Sequence, residues 1–289
     1  MKLKFIFIVA MSALLSFMLA AEDNFEKLLE KYKNVTSESL LAEREKKQLA
    51  MIIDNTFLDG AMIVVPGENY SILKTEVTQE FYEFIMGENP SFFGGEKNLP
   101  VERVSWYDAI VFCNRLSVKE GLKPVYSVDG VTNVSMWDYT PHEGHSIHGE
   151  VKCNEKANGY RLPTVEEWVY AAEGGQEFKY SGSDNLDEVG WYDGNSVSNT
   201  HPVAQKVPNG YGLYDMSGNV WEWCWDSHGS KYRYSCGGGW SSNANYCGVG
   251  YGYWNYDNYA SYCLSYGGDR YANYRDDYLG FRIVRNIDE

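Results

Sequence analysis

The chain has 289 residues, of which 40 are acidic and 25 basic, giving a formal net charge of −15 at pH 7. This length allows one large domain or two small ones, with enough residues for a sizeable hydrophobic core. The acidic balance argues against nucleic acid and anionic membrane surfaces as main partners. Solubility alone is the other explanation of the acidity.

The first 21 residues have the pattern of an export signal. Two lysines precede an apolar run, Phe5–Leu19, and the small residues Ala20 and Ala21 follow it. The run is too short, and has the wrong flanks, for a spanning helix. We therefore expect cleavage after Ala20 or Ala21 and a mature protein at the cell surface, in the periplasm or secreted. An uncleaved N-terminal anchor is the alternative, and would be its only attachment to a membrane.

Export permits disulfide bonds, and the chain has six cysteines, namely Cys113, Cys153, Cys224, Cys236, Cys247 and Cys263. Cys113 falls on the apolar face of a predicted helix, so we expect a buried thiol there. The spacing of the other five fits neither a disulfide framework nor a zinc site, and we expect neither.

Residues 22–58 are charged and helix-prone, which predicts a helical stalk. A domain at 59–289 follows and opens with two strand-like stretches, Ala61–Pro66 and Ser71–Lys74.

Capping residues and apolar spacing predict three helices in this domain. Thr78 caps the first, while Ser105 with Asp108, and Thr164 with Glu167, form the capping boxes of the other two. The apolar faces carry, in chain order, Phe81, Phe84 and Ile85; Ala109, Phe112, Cys113 and Leu116; and Trp168, Ala171 and Ala172.

Between the second and third helices, Val125–Cys153 has the pattern of a hairpin with a turn at Asp129–Gly130. It also contains His142, His145 and His148, whose spacing is compatible with a metal site. The surrounding loop is rich in Gly, Pro and Glu, so we expect these histidines to be solvent-exposed.

After Gly174 the predicted strands are only a few residues long and glycines interrupt them. No repeat occurs at a solenoid or propeller period. This layout predicts an α+β domain with two to three helices, small antiparallel sheets and little other regular secondary structure.

Near the C-terminus, residues 240–278 form a tyrosine-rich segment in which Tyr alternates irregularly with Asn, Asp, Ser and Gly. Neither a strand nor a helix period persists there. Tyr offers a large rigid contact area, and Ser, Asn and Gly offer adaptable hydrogen bonds. Because each buried hydroxyl needs a partner, the excess of Tyr over Phe and Leu favours a binding surface, although some tyrosines are expected in the core.

Five blocks of sequence identify a family. They are KTEVTQEFYEF (Lys74–Phe84), PVERVSWYDAIVFCNRLS (Pro100–Ser117), GYRLPTVEEWVYAA (Gly159–Ala172), PNGYGLYDMSGNVWEWCWD (Pro208–Asp226) and GFRIVRN (Gly280–Asn286). In this order they resemble the formylglycine-generating-enzyme (sulfatase-modifying factor) family, over about Ala61–Asn286. The resemblance implies a C-type-lectin-like α+β fold poor in regular structure, which agrees with the layout above.

Catalytic members of this family use two cysteines, five residues apart, to bind copper and activate oxygen. In the corresponding stretch, GGGWSSNANYC, the second position is Cys247 but the first is Ser242. A hydroxyl is a poor ligand for copper(I). We therefore expect no catalytic residues and no catalytic cofactor, with Cys247 as a vestige. A copper- and oxygen-dependent oxidase is the alternative.

The tyrosine-rich segment also resembles a second branch, variable proteins diversified by retroelements, such as the spirochaete-type Treponema variable protein. That resemblance implies a non-enzymatic surface that binds a protein or carbohydrate ligand on another cell. The residues assigned to ligand binding are Asn243, Asn245, Tyr251, Tyr253, Asn255, Asp257, Asn258, Tyr259, Ser261, Tyr262, Ser265, Tyr266, Asp269, Tyr271, Asn273 and Tyr274. A generic structural or binding role within the family is the other alternative.

The family also binds calcium at a GNVWEW-type segment. Carried over to this chain, the resemblance implies a structural calcium ion at Asp215, Gly218, Val220 and Glu222, whose two carboxylates and two carbonyls suit a hard cation. The other explanation is that Trp221 and its neighbours simply pack while Glu222 forms a salt bridge.

Overall fold

The computed structural model describes residues 57–58, 60–228, 232–249 and 270–287. The chain divides into two units, Met1–Phe57 and Leu58–Glu289, and the account below concerns the second. The predicted signal and nearly all of the predicted stalk lie outside the described residues. Within the described part of the chain, no helix has the length and apolarity to cross a membrane.

The described residues form ten short strands, in agreement with the weak strand signals of the sequence. They are β1 Met62–Val64, β2 Tyr70–Leu73, β3 Tyr126–Val128, β4 Val151–Cys153, β5 Tyr160–Arg161, β6 Trp221–His228, β7 Tyr232–Cys236, β8 Arg270–Tyr271, β9 Leu279–Gly280 and β10 Val284–Asn286. One sheet has the order β1-β2-β10-β5, a second pairs β3 with β4, and a third has the order β8-β7-β6-β9. The third sheet is not purely antiparallel as expected, since β6 and β9 run parallel.

The three predicted helices are present at their predicted caps. They are α1 Gln79–Met86, α2 Trp106–Lys119 and α3 Val165–Glu173. Thr78 accepts the backbone N–H of Phe81. Both reciprocal hydrogen bonds of a capping box form at Ser105 and again at Thr164. The predicted apolar faces of α2 and α3 are buried.

Three details differ from the prediction. A one-turn helix, α4 Leu186–Val189, follows Gly174, and it is too short for apolar spacing to reveal. On α1, Phe84 and Ile85 are only half-buried. The turn at Asp129–Gly130 closes only an isolated bridge between Val128 and Val131, because residues 129–150 separate β3 from β4.

Four of the five cysteines in the described part of the chain are free thiols. Cys113 is buried and free as expected, and Cys153, Cys224 and Cys247 are also free. Cys236 is nevertheless disulfide-bonded, which the irregular spacing did not predict.

Aromatic rings join the helices to the C-terminal strands in the core. Tyr82 of α1 stacks on Phe112 of α2 with ring centroids 5.5 Å apart, and Phe112 meets Phe281 edge-on at 5.2 Å. All three rings are fully buried. This packing fixes the chain that follows β9 and therefore the end of the tyrosine-rich segment.

Candidate ligand-binding site

Five of the sixteen residues predicted to bind ligand are described. These are Asn243, Asn245, Tyr271, Asn273 and Tyr274. The other eleven, Tyr251, Tyr253, Asn255, Asp257, Asn258, Tyr259, Ser261, Tyr262, Ser265, Tyr266 and Asp269, lie outside the described residues. The structure therefore shows how the tyrosine-rich segment begins and ends.

The two ends of the segment meet. The indole nitrogen of Trp240 donates to the carbonyl of Asp277 at 3.0 Å. The backbone of Trp240 is also fixed, because its N–H donates to the carbonyl of Asn219 at 2.7 Å and its carbonyl accepts from Ser196 Oγ at 2.8 Å. The two described ends of the segment are therefore held together at one place on the domain.

Ser242 has a structural role at the position of the first catalytic cysteine. Its hydroxyl oxygen accepts hydrogen bonds from Trp221 Nε1 at 3.0 Å and from the N–H of Gly239 at 2.9 Å. The side chain is 6% exposed. Ser242 thus satisfies two buried donors in the turn that precedes the tyrosine-rich residues.

Cys247 is a core residue. It is fully buried in a small apolar cluster with Tyr180, Leu186 and Val189. A Cβ on Gly238, which has a φ of +76°, would lie 2.6 Å from its sulfur. Burial raises the pKa of the Cys247 thiol far above its ordinary value, so the thiolate needed for copper ligation is disfavoured.

At the start of the segment, Asn243 and Asn245 are exposed. Asn243 caps the short 3-10 helix Ala244–Cys247 by accepting the N–H of Asn245 at 3.1 Å. This local bond occupies the Asn243 oxygen, while Asn245 is an exposed residue of the same short helix.

At the end of the segment, Tyr271 is 52% exposed and its ring lies 4.9 Å from that of Tyr232. Asn273 donates from Nδ2 to the carbonyl of Gly144 at 3.4 Å. Tyr274 is half-buried and donates to Asp276. Of these, Tyr271 has the geometry of a contact residue, whereas Tyr274 is engaged within the protein.

A buried ion pair holds this end of the segment on α2. Asp108, which is fully buried, accepts from Arg275 Nε at 2.8 Å and Nη2 at 3.2 Å, and from the Tyr139 hydroxyl at 2.7 Å. Burial opposes ionisation of Asp108, but the hydrogen bond and charge of Arg275 outweigh it and hold the pKa of Asp108 below its ordinary value. The cap of α2 and the end of the tyrosine-rich segment therefore share one carboxylate.

His142 is not solvent-exposed as expected. Its side chain is 14% exposed, with Nδ1 at 3.7 Å from Asp108 and Nε2 at 3.3 Å from the Tyr82 hydroxyl. Burial lowers the pKa of His142. His145 and His148 are exposed as predicted, and among the described residues the three histidines form no metal-binding group.

Sequence reasoning missed an aromatic group beside Trp240. Phe92 is 60% exposed with the Arg103 guanidinium 4.8 Å above its ring. Phe93 meets the Trp240 ring edge-on at 5.4 Å. Two adjacent aromatic residues in the Gly- and Asn-rich loop after α1 are the signal that would have found them.

The two carboxylates predicted to hold calcium, Asp215 and Glu222, differ in their contacts. Both carboxylate oxygens of Glu222 bind Arg282 at 2.6 Å, and one also accepts from Trp168 Nε1. Asp215 uses one oxygen to accept the N–H of Ala204 and leaves Oδ1 without a partner. In the described part of the chain, no three side chains of His, Cys, Asp or Glu form a metal-binding group. Calcium at Asp215, Gly218, Val220 and Glu222 stays a prediction, and the salt bridge of Glu222 that was the other explanation is present in the structure.

Comparison with known proteins agrees with this geometry. A family described as "Sulfatase-modifying factor enzyme 1-like domain" matches residues 44–287. A solved structure, Treponema denticola variable protein 1, superposes with a TM-score of 0.65 and 33% identity, over 78% of this chain and 91% of that chain. The predicted fold class, a C-type-lectin-like α+β domain with little regular structure, is confirmed.

Two curated relatives cover very different shares of the chain. "Chaperone protein LppX" from Paenibacillus barcinonensis is 46% identical over 209 residues, which are 63% of this chain and 73% of that protein. "Formylglycine-generating enzyme" from Thermomonospora curvata is 40% identical over 83 residues, only 24% of this chain and 27% of the enzyme. The five ordered blocks, the fold and these matches lead to one conclusion: the chain belongs to the sulfatase-modifying factor enzyme 1-like domain family.

Proposed function

We propose that this protein is an exported, non-enzymatic binding protein whose ligand contacts the tyrosine-rich segment. The observation that carries the proposal is the bond from Trp240 to Asp277. It closes the segment at its base, so that residues between the two ends can change without moving the domain. The likeness to a variable protein at 33% identity supports the same arrangement.

Chemistry at the former catalytic position supports a binding role over an oxidase. Ser242 accepts two buried donors and Cys247 is sealed in an apolar cluster. A pair of copper ligands would need both side chains to be thiolates turned to a shared ion. Neither requirement is met by these contacts.

Affinity would come from a few exposed aromatic anchors. Tyr271 offers half of its surface to solvent, and Asn245 lies exposed at the other end of the segment. Aromatic area gives binding energy, and the amide and hydroxyl groups set hydrogen-bond specificity. The net charge of −15 favours a basic partner.

A second candidate function is binding of unfolded protein clients. It rests on the 46% identity to a protein named as a chaperone. This function would also use an aromatic surface, but would tolerate many ligands. Suppression of the aggregation of heated citrate synthase distinguishes it from recognition of one folded ligand.

Binding can be tested with Tyr271→Ala and a control on the same domain. The control is Val118→Ala, since Val118 is 65% exposed and lies twelve residues along α2 from Trp106, about 18 Å away. Probes are a glycan array and a display library of secreted and cell-surface proteins. We expect at least one specific hit, weakened about tenfold or more by Tyr271→Ala and unchanged by Val118→Ala. Equal binding by both variants would overturn the assignment of the surface.

Diversification can be tested on the gene. We expect isolates to differ mainly in codons 240–278, with a near-copy of that stretch and a reverse transcriptase gene nearby. An invariant segment without a template copy would exclude diversification and leave a generic family binding role.

A further inference from the structure

An exposed cation lies beside the base of the tyrosine-rich segment. Arg103, just before α2, is exposed, and its guanidinium lies 4.8 Å from the centre of the Phe92 ring. Among the described residues, this guanidinium makes no hydrogen bond and no ion pair. A guanidinium that rests on an aromatic ring keeps its planar fork of N–H donors, and that fork matches the two oxygens of a carboxylate. Arg103 therefore has the chemistry of a carboxylate-binding residue.

Backbone hydrogen bonds hold the ring and the cation in place. The N–H of Phe93 donates to Glu102 Oε1 at 2.9 Å, which joins the loop that carries Phe92 to the residue before Arg103. The N–H of Arg103 donates to the carbonyl of Asp276 at 3.0 Å. None of these bonds uses the side chain of Phe92 or Arg103. Both side chains are therefore positioned before a ligand arrives, which lowers the entropy lost on binding.

Arg103 occupies its position at a conformational cost. Its φ is +58°, in the left-handed region that glycine and asparagine adopt most readily. The side chain is exposed, so packing of the core does not require an arginine there. A strained backbone position with a side chain that can meet a ligand favours a functional role for that side chain.

The pair of Phe92 and Arg103 adjoins the tyrosine-rich segment. Phe93 meets the Trp240 ring edge-on at 5.4 Å, and Trp240 donates to the carbonyl of Asp277. Phe92 and Arg103 therefore border both described ends of the segment. A ligand that covers these ends would also reach the exposed ring and the free guanidinium.

We propose that Phe92 and Arg103 form a fixed subsite for an aspartate or glutamate side chain of a protein ligand. The Arg103 fork would bind the carboxylate, and the Phe92 ring would pack on neighbouring apolar atoms. This inference rests on the proposed binding function and adds to it a contact outside residues 240–278. The net charge of −15 repels a polyanion such as an acidic glycan. Aromatic and arginine side chains are enriched at protein–protein interfaces, which favours a protein ligand.

The test is selection of phage-displayed random peptides on the immobilised full chain, followed by titration of the synthetic peptides. We expect the selected peptides to contain an acidic residue. Arg103→Asn, which suits the left-handed backbone and should not lower the unfolding temperature, is expected to weaken their binding about tenfold or more. Replacing the acidic peptide residue by its amide should weaken binding to wild type but cause no further loss with Arg103→Asn, because the two changes remove the same contact.

Lys119→Gln is the matched control, since Lys119 is another exposed cation over an aromatic ring, 4.5 Å from that of Phe84. It ends α2, about 20 Å along the helix from the end near Arg103, and its variant should bind the peptides as wild type does.

Recovery of no binding peptide, or additive losses from Arg103→Asn and the peptide amide, would overturn the subsite. Tyr271→Ala separates this result from the proposed function. Peptides weakened by Tyr271→Ala but not by Arg103→Asn would overturn the subsite alone. Peptides weakened only by Arg103→Asn would support the subsite and count against the tyrosine-rich segment as the contact surface.

Discussion

Trp240 donates from its indole nitrogen to the carbonyl of Asp277 across the base of the tyrosine-rich segment, at 3.0 Å. The same ring meets Phe93 edge-on. One side chain therefore joins the start of the segment, its end and the loop after α1. This hydrogen bond therefore holds both described ends of the segment on one domain.

Trp240→Phe tests this closure. The substitution keeps an aromatic ring beside Phe93 and removes the donor to Asp277, so we expect a loss of about 1 kcal/mol in the free energy of unfolding. Faster amide exchange is expected at Tyr271–Leu279. Urea unfolding and hydrogen exchange measure the two effects. Phe93→Leu, which keeps the hydrogen bond, should leave exchange in that stretch unchanged, and equal acceleration by both variants would contradict the closure.

Arg275→Met tests the buried pair with Asp108. Removing the guanidinium leaves a fully buried carboxylate with weaker compensation, and we expect a loss of about 3–5 kcal/mol in unfolding free energy. Tyr139→Phe removes only one hydrogen bond from the same carboxylate, and should cost about 1 kcal/mol. Chemical denaturation of both variants checks the difference. Similar losses would show that the charge of Arg275 has no special role.

Local signals in the sequence were sufficient to predict where the three longer helices begin. Thr78, Ser105 and Thr164 cap helices where predicted, because a cap depends on residues only three positions away. The five sequence blocks indicated the fold class through their resemblance to a known family. Pairing between distant segments could not be read in this way.

The candidate site was predicted less completely because its contacts are long-range. The bond between Asp108 and Arg275 joins positions 167 residues apart, and spacing along the chain gives no sign of it. The ion pair between Glu222 and Arg282 likewise depends on how β6 packs against the chain between β9 and β10. Composition indicated the tyrosine-rich segment, but only the structure separates exposed Tyr271 from engaged Tyr274.

Ser242→Ala tests whether the serine is structural. The change leaves Trp221 Nε1 and the N–H of Gly239 without their buried acceptor, so we expect a loss of about 1–3 kcal/mol in unfolding free energy. Ser241→Ala, at the exposed neighbouring position, should change it by less than about 0.5 kcal/mol. Copper-treated wild-type protein should also fail to oxidise the cysteine of a peptide substrate. Turnover would favour the oxidase alternative, and equal stability of the two variants would contradict the structural role of Ser242.

Glu102 predicts a pH dependence of stability. Burial raises its pKa from 4.5 to about 7, although the backbone N–H groups of Phe92 and Phe93 partly oppose this shift. At a pH between these two pKa values, the Glu102 carboxyl binds more protons in the folded state than in the unfolded state. The contribution of Glu102 to stability therefore falls as pH rises from about 4.5 to about 7 and is constant above. The full difference is of the order of 3 kcal/mol.

Glu102→Gln should remove this dependence, because the amide stays neutral while its oxygen can still accept the N–H of Phe93, as the carboxylate does at 2.9 Å. We expect the variant to be more stable than wild type at pH 8 and equal to it below about pH 4.5. Unfolding by urea across this pH range measures the difference. Glu96→Gln, at an exposed position of the same loop, should follow wild type throughout. The result that would contradict this prediction is a stability difference between Glu102→Gln and wild type that is no larger at pH 8 than at pH 4.5. Burial of the Glu102 charge would then cost nothing, and its unpartnered oxygen, Oε2, would not be a source of strain.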